Sequence, residues 1–239
     1  MTRRPHPDDH ALFAPAQLPT LRAAVDDLDW LRGRGYADTA ALALVGDRYQ
    51  LPARARLAIG RAAASPPAAA ARRARHLTLA ALRGRALAVD GFNVLVTCEA
   101  ALVGGLVLIG RDGAWRDLAS VHGGYRAVDE TERALTAIAA LLAAAAPAQV
   151  TWYLDRPVSA SGALAARLRA LDPAWTVELA NSADPELVRD PAAVVASSDA
   201  WVLDRAGAWI DLPAAVSGAL AASPWLVDLA TVGAIAAPG

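Results

Sequence analysis

Three aspartates, Asp90, Asp155 and Asp199, each follow a short apolar segment. The segments are residues 86–89, 150–154 and 193–196. A short run of apolar residues is typical of a strand that is buried on both faces of a parallel sheet. Because parallel strands bring their carboxyl ends to one edge, these carboxylates can converge although they lie far apart in sequence.

Converging carboxylates predict a bound cation. Like charges raise one another's pKa, so a cluster of them is stabilised by a metal ion. Oxygen ligands without a neighbouring histidine or cysteine favour Mg²⁺ or Mn²⁺ over zinc. Such ions hold phosphates, activate water and stabilise the leaving oxygen, which is the chemistry of phosphodiester hydrolysis. Asn93 follows Asp90 closely and is placed to orient that carboxylate or to cap the next helix.

Each acid also has a purely structural interpretation. Asp90 begins an Asp-Gly dipeptide, which is common in turns. Asp199 can interact with the dipole of a following helix, while Asp184 and Asp211 stand just before prolines and resemble helix N-caps. The serines and glycine after Asp155 predict either a phosphate cradle or the start of a helix.

Strands and helices alternate through the second part of the chain, which predicts a parallel sheet with helices on both faces. We therefore expect an α/β domain over residues 85–239. The predicted strands are residues 86–90, 106–109, 150–154, 175–179, 193–196 and 209–210, and residues 225–229 are predicted to be a strand or a turn.

The first part of the chain predicts a loose tail and a small helical domain. Residues 1–18 are polar and broken by prolines, which is typical of a loose tail. Residues 19–84 form the helical, arginine-rich domain, with helices that begin near Leu21, Asp38 and Pro52 and a fourth over 68–83. Helical modules of this size often bind nucleic acid or a partner protein.

The charge is unevenly distributed. The net charge is −1, yet residues 1–89 carry 14 arginines and 7 acids, and residues 90–239 carry 9 arginines and 17 acids. Such a division predicts that one part holds a polyanion and the other holds cations, or that the two parts neutralise each other. The candidate nucleic-acid contacts, for which a solvated charged surface is the alternative, are Arg72, Arg73, Arg75, Arg116 and Arg126.

The single cysteine, Cys98, excludes an internal disulfide and indicates a reducing compartment. We expect it to pack in the core. The charge-free residues 134–154 are interpreted as a helix followed by a strand, so no membrane partner is expected. The predicted location is cytoplasmic.

Short motifs resemble the PIN and NYN nuclease superfamily. Val89-Asp90-Gly91-Phe92-Asn93 resembles its first acidic motif, and Leu154-Asp155-Arg156-Pro157-Val158-Ser159 and Ser197-Ser198-Asp199-Ala200 resemble later ones. The layout also resembles a prokaryotic family in which a small helical domain precedes a PIN-like domain. The resemblance covers most of residues 20–215.

This resemblance implies a three-layer α/β/α fold and metal-dependent cleavage of RNA. It implies that Asp90, Asp155 and Asp199 are metal ligands, that Asp184 is a fourth acid, and that Asn93 is a supporting polar group. The sequence departs from the PIN pattern in one respect. PIN domains usually carry an acid in a central helix, where this chain offers only acids at the start of the helix, Glu130 and Glu132.

Three functions fit these observations. The first is a Mg²⁺- or Mn²⁺-dependent ribonuclease whose basic helical module holds RNA. The second is a non-catalytic protein that binds RNA or a protein partner on a degenerate nuclease fold. The third is a phosphatase or phosphotransferase that uses Asp90 as nucleophile, although the Asp-x-Asp arrangement of such enzymes is absent. Whether the chain forms an oligomer stays open.

Overall fold

The computed structural model describes residues 3–119 and 125–231, which divide into two units. The α/β unit comprises residues 3–4, 75–105 and the described part of 119–224. The helical unit comprises residues 5–74, 106–118 and 225–231. The division falls after Ala74, whereas the sequence predicted a boundary after Gly84, and two later segments of the predicted α/β domain belong to the helical unit.

The elements follow one another along the chain as helices α1 to α11 and strands β1 to β8. The helices are α1 (Asp9–Leu12), α2 (Leu18–Gly33), α3 (Asp38–Arg48), α4 (Ala53–Ala62), α5 (Pro66–Ala74), α6 (Gly91–Leu102), α7 (Asp129–Ala145), α8 (Ser161–Leu171), α9 (Asp184–Leu187), α10 (Ala200–Arg205) and α11 (Leu212–Ala219). The strands are β1 (Ala86–Asp90), β2 (Leu106–Ile109), β3 (Trp115–Asp117), β4 (Gln149–Asp155), β5 (Thr176–Ala180), β6 (Val194–Ala196), β7 (Ala208–Ile210) and β8 (Trp225–Asp228). Two short 3₁₀ helices cover Pro15–Gln17 and Leu79–Leu82.

The α/β unit is built on a parallel five-stranded sheet with the order β5-β4-β1-β6-β7. Leu87 and Val89 of β1 face the large core formed with α6, α7, α8 and α11. Ala88 of β1 and Val195 of β6 face the opposite side, where α9 and α10 pack. Helices therefore cover both faces, and the predicted three-layer α/β/α fold is confirmed.

The helical unit has its own core between α2, α3, α4 and a second sheet. Leu21, Val25 and Leu28 of α2 are buried in this core together with Leu108 of β2 and Val227 of β8. This sheet has the order β3-β2-β8, with β3 antiparallel and β8 parallel to β2. The strands predicted at 106–109 and 225–229 thus exist, but they pair with each other and not with the five-stranded sheet.

The predicted loose tail is folded over most of its described length. Phe13 is only 1% exposed and lies in the core of the helical unit. Asp9, in the short helix α1, is buried and forms an ion pair with Arg54 of α4. The prolines break this segment into short pieces, but the buried ring of Phe13 and the ion pair of Asp9 help to anchor it.

The helix predicted over 68–83 ends early, at Ala74. The chain then runs beside β7, where the Leu77 amide donates to the Trp209 carbonyl at 2.8 Å and the Trp209 amide donates to the Arg75 carbonyl at 3.0 Å. His76 also packs its ring on the indole of Trp209, with ring centroids 4.4 Å apart. Pairing with the exposed edge of β7 therefore replaces the second half of the predicted helix.

No helix in the described ranges 3–119 and 125–231 has both the length and the apolar character required to cross a bilayer.

Candidate metal-binding site at the carboxyl edge of the sheet

Asp90 ends the central strand β1 and is only 6% exposed. Its Oδ2 accepts a hydrogen bond of 2.8 Å from the Ser197 hydroxyl, which follows the neighbouring strand β6. The pairing of Val89 with Ala196 brings these two strand ends to the same level. Among the described residues, the neutral hydroxyl of Ser197 is the donor that holds this buried carboxylate at the carboxyl edge of the sheet.

The alternation of side chains along the strands places a second carboxylate on the same face. Side chains two residues apart on a strand point to the same face of the sheet, so Asp90 shares a face with Ala88, and Asp155 with Tyr153. Ala88 and Tyr153 both pack with α9 and α10. Since β1 and β4 are parallel neighbours, Asp90 and Asp155 end adjacent strands on one face and one edge. The expected convergence of these two strand ends is confirmed.

Two further acids come from the helices that cover this face. Asp155 Oδ1 accepts from the Ala183 amide at 2.9 Å, which ties the end of β4 to the residue before Asp184 in α9. Asp199 caps α10 by accepting from the Val202 amide at 3.0 Å. Each of these bonds uses one oxygen of the carboxylate, so the second oxygen can still bind a cation.

The positions of Asp211, Asp199 and Asp184 relative to their helices decide which of these acids are N-caps. Asp211 is the N-cap of α11, as predicted, and accepts from the Ala214 amide at 3.0 Å. Asp199 is an N-cap rather than a first-turn residue. Asp184 is not a cap, because Ala183 occupies that position and Asp184 is the first residue of α9.

The four carboxylates interact electrostatically. The pKa of Asp90 is raised to about 7, mainly by burial and also by the charges of Asp184, Asp199 and Asp155, while the Ser197 hydrogen bond acts to lower it. Burial also raises the pKa of Asp184, again together with Asp199 and Asp155. Excess negative charge with oxygen donors is an environment that favours a hard divalent cation.

The donor set fits Mg²⁺ or Mn²⁺ by its chemistry, but the carboxylates are not closed around a common point. Within 3–119 and 125–231, no three acidic, histidine or cysteine side chains are arranged as a ready metal cage. The assignment of Asp90, Asp155, Asp199 and Asp184 as ligands therefore stays a prediction.

Asn93 supports the site indirectly. Its Oδ1 accepts from both the amide and the hydroxyl of Ser198, at 2.9 and 3.0 Å. The Asp199 amide in turn donates to the Ser197 hydroxyl oxygen at 3.1 Å. Asn93 thus fixes the loop that carries Ser197 and does not bond to the carboxylate of Asp90 itself.

The sequence analysis gave no role to Ser197 or Ser198. The signal was present, because two consecutive hydroxyl residues between a buried strand and an acid are available to bond to neighbouring strand ends. Ser197 links Asp90 to the backbone of Asp199, and both serines are buried. They are the residues that hold the two acidic segments together.

Gly91 is required by the close approach of the start of α6 to β4. A Cβ atom at this position would overlap the side chain of Leu154 and lie 3.2 Å from the Tyr153 carbonyl oxygen. The chain passes from β1 directly into α6 at Asp90-Gly91, and the glycine lets the start of α6 pass beside β4 while Asp90 stays at the sheet edge.

Two of the predicted nucleic-acid contacts are buried in the helical unit. Arg116 binds both carboxylate oxygens of Asp112, each at 2.7 Å, and Arg72 binds Oδ2 at 2.9 Å. Burial alone would raise the pKa of Asp112, but the charges and hydrogen bonds of Arg116 and Arg72 outweigh it and lower the pKa to about 2. This correction removes Arg72 and Arg116 from the candidate RNA contacts, because their guanidinium groups neutralise a buried acid.

The other three arginines remain accessible to different degrees. Arg73 is exposed and donates to the Arg111 carbonyl. Arg75 is partly exposed and donates to the Ala206 carbonyl at 2.6 Å, at the end of α10. Arg126 is exposed.

PIN domains usually carry an acid in a central helix, and the acids at the start of α7 are the ones that the sequence offers for that place. Glu132 of α7 forms an ion pair with Arg167 of α8. The acid that the sequence analysis overlooked, Glu99 of α6, is fully buried and binds the Arg3 guanidinium at 2.7 Å and the Tyr125 hydroxyl at 2.6 Å. Its contacts are those of a structural ion pair.

Comparison with known proteins gives the chain a family. The model described as a domain of unknown function, DUF5616, matches residues 79–215, which is more than half of the chain. This chain belongs to the DUF5616 family. The matched segment contains all four acids of the candidate site and both serines.

Two further comparisons agree with this membership. A second model, described as a protein of unknown function, DUF434, matches residues 20–75 in the helical unit. An uncharacterized protein of Methanocaldococcus jannaschii is 30% identical over 188 residues, which cover 77% of this chain and 89% of the relative. No solved structure matches the chain. The resemblance to PIN and NYN nucleases therefore stays a prediction.

Proposed function

We propose that this DUF5616 protein is a metal-dependent ribonuclease that hydrolyses phosphodiester bonds at the carboxyl edge of its parallel sheet. The observation that carries the proposal is the environment of Asp90. This carboxylate is 6% exposed, has one neutral hydrogen-bond donor and is surrounded by the charges of three other acids. Burying such a group is unfavourable unless something positive joins it.

The residues would divide the work by position. Asp90 is the central ligand because it is the most buried of the four acids and ends the central strand, while Asp155, Asp184 and Asp199 supply oxygens around it. Ser197 and Asn93 position these acids without joining the reaction. A bound Mg²⁺ or Mn²⁺ would supply water activation and stabilisation of the leaving oxygen.

RNA is the proposed substrate because the motif resemblance and the accessible arginines agree on it. Arg75 and Arg126 belong to the same unit as the acids, and both reach solvent. Contacts to phosphate through arginine are charge-assisted and set the position of the backbone. The predicted cytoplasmic location, where RNA is available, is part of the same proposal.

The test is a time course on labelled single-stranded RNA with Mg²⁺, with Mn²⁺ and with EDTA. Asp90→Asn keeps the shape of the side chain and one acceptor oxygen but removes the charge, so cleavage should fall by at least about 100-fold while the protein stays folded. The matched control is Asp172→Asn. Asp172 precedes β5 and so lies at the amino edge of the same sheet, where its Oδ1 accepts from the Ala174 amide at 2.9 Å. This control should cleave at the wild-type rate.

The outcomes separate the candidate functions. Loss of cleavage in EDTA and in Asp90→Asn, but not in Asp172→Asn, supports the ribonuclease. Equal cleavage by the wild type and Asp90→Asn shows a contaminating nuclease and rejects the proposal. RNA binding without cleavage by any of the three folded proteins favours a non-catalytic RNA-binding protein.

A further inference from the structure

Trp201 is an exposed aromatic residue next to the candidate site. Its side chain belongs to α10 and is 41% exposed, although tryptophan is usually well buried. The guanidinium carbon of Arg205, one turn later, lies over the indole at 4.0 Å from the ring centroid. Arg205 also donates to the Trp201 carbonyl at 3.0 Å, so the arginine is held over the ring at two points.

The position of α10 brings this pair close to the carboxylates. Asp199 caps the helix two residues before Trp201, and its charge acts on Asp90. Val202 and Ala206 bury the opposite side of α10 against the sheet face that carries Asp90 and Asp155. Helical side chains lean toward the N-terminus of their helix, so the indole is directed toward the end that holds Asp199.

An exposed indole with a guanidinium fixed over it is suited to a particular ligand. Nucleobases stack on aromatic rings and on arginine planes, and such stacking tolerates different bases because every base has a π-face. In a duplex the bases are already stacked on one another, so this mode selects single strands. Arg205 adds a positive charge beside the acids, where a phosphate chain would pass.

We propose that Trp201 and Arg205 form a stacking platform for one base of a single-stranded RNA whose phosphodiester lies at the carboxylates. This inference rests on the proposed ribonuclease function and adds the strandedness of the substrate and a residue that selects it. Trp201 is a substrate-binding residue that takes no part in the bond cleavage.

The experiment measures binding of full-length protein to a labelled ten-nucleotide RNA by fluorescence anisotropy in EDTA, and kcat/KM in Mg²⁺. A series of RNAs, each with one abasic nucleotide, locates the stacked base. For the wild type, one position of the series should weaken binding by about tenfold. Trp201→Ala should weaken binding of the intact RNA by the same factor. The abasic nucleotide at that position should then not weaken binding to Trp201→Ala any further, because both changes remove the same contact.

Two variants serve as controls. Trp201→Phe keeps an aromatic face and should retain most of the affinity. Trp30 of α2 is also exposed and carries the Arg34 guanidinium at 4.3 Å from its ring centroid, but it belongs to the helical unit. Trp30→Ala should leave the sensitivity to the abasic position intact, and binding to double-stranded RNA should be unaffected by Trp201→Ala. Thermal melts establish that each variant is folded.

The failures of the two proposals differ. If the wild type binds and cleaves RNA but Trp201→Ala does so equally well, or if its loss adds to that of the abasic position, the stacking platform is rejected and the ribonuclease stands. If the wild type neither binds nor cleaves any RNA in the series, both are rejected. An equal loss of base sensitivity in Trp30→Ala also rejects the assignment to Trp201.

Discussion

At the scale of single residues, the buried carboxylate of Asp90 lowers the stability of the folded protein. Asp90 is 6% exposed and experiences the charges of other acids, and the Ser197 hydroxyl donates a hydrogen bond to it. Natural proteins accept such local conflicts mainly where a ligand relieves them. The pKa of Asp90 makes this conflict measurable in the absence of any substrate.

We predict that Asp90→Asn stabilises the metal-free protein at pH 8. The pKa of Asp90 rises on folding from the ordinary value of 3.8 to about 7, so the folded state binds this proton more tightly. The free energy of unfolding should therefore fall as pH rises from about 4 to about 7. Asparagine removes this dependence and can still accept from Ser197. A gain of about 1 kcal/mol would raise the melting temperature by about 2–4 °C.

Thermal melts at pH 4 and pH 8 check this prediction. The difference between the two proteins should vanish at pH 4, and added Mg²⁺ should raise the melting temperature of the wild type but not of Asp90→Asn. A variant that is less stable than the wild type at pH 8 would show that Asp90 is a structural acid.

A second residue-scale prediction concerns the buried pair of Arg72 and Asp112. Arg72→Met removes one guanidinium group from the buried Asp112, which keeps its bonds to Arg116 and to the Ala114 amide, and should lower the free energy of unfolding at pH 7 by about 3 kcal/mol. Because the pKa of Asp112 is lowered to about 2, its contribution is present above the unfolded value of 3.8 and is lost as pH falls through about 2. Urea unfolding at several pH values measures this effect.

The matched control is Arg126→Met, at an exposed arginine. It should change stability by less than about 0.5 kcal/mol. The opposite order of stability losses would contradict the assignment of Arg72 as structural.

At the scale of elements, the sequence predicts the strands better than their partners. The runs before Asp90 and Asp155 form neighbouring strands of one sheet as expected. The run at 106–109 looks the same in sequence, yet β2 pairs with β3 and β8. An apolar run shows that a strand is buried, whereas its partner depends on long-range packing that the local pattern does not contain.

The site follows the same rule. The acids at the ends of β1 and β4 could be predicted, because the alternation of side chains along a strand and the parallel pairing of the two strands determine the face and the edge at which these carboxylates lie. The roles of Ser197 and Asn93 could not, because each depends on a hydrogen bond between segments more than 100 residues apart.

The turn between β1 and α6 gives a prediction at this scale. In Gly91→Ala the added methyl overlaps Leu154, so the end of β1 must move, at a cost of about 1–3 kcal/mol. RNA cleavage should fall because Asp90 moves with the strand. Gly162 of α8 is the matched control, since a Cβ there meets nothing within 4 Å, and Gly162→Ala should stabilise the helix by about 0.5–1 kcal/mol.

Chemical denaturation and cleavage rates measure both glycine variants. If Gly91→Ala were as stable and as active as Gly162→Ala, the close approach of the start of α6 to β4 would not be what positions Asp90.

At the scale of the whole molecule, the uneven charge is largely balanced inside the helical unit. Arg56 pairs with Asp47, Arg61 pairs with Asp117, and Arg72 pairs with Asp112. The last two acids come from residues 106–118, which the sequence analysis had assigned to the other domain. The arginine excess of residues 1–89 therefore overstates the positive surface that remains for a polyanion.

The dependence of RNA binding on salt measures how much of that surface remains. Each phosphate contact that is lost should lower the slope of log affinity against log salt by about 0.7 for a single strand. Arg75→Gln and Arg126→Gln, at two arginines of the α/β unit that reach solvent, should each lower the slope and weaken binding to all sequences alike. Arg167→Gln is the control, because Glu132 already neutralises that arginine, and its slope should equal that of the wild type.

Anisotropy titrations between 50 and 300 mM salt give these slopes. If all nine arginines between Arg48 and Arg85 contacted phosphates, the wild-type slope would have a magnitude of about 6. The structure predicts a shallower slope, since Arg54, Arg56, Arg61 and Arg72 are held by acids within their own unit. Unchanged slopes in both glutamine variants would place the RNA on a different surface from the one proposed.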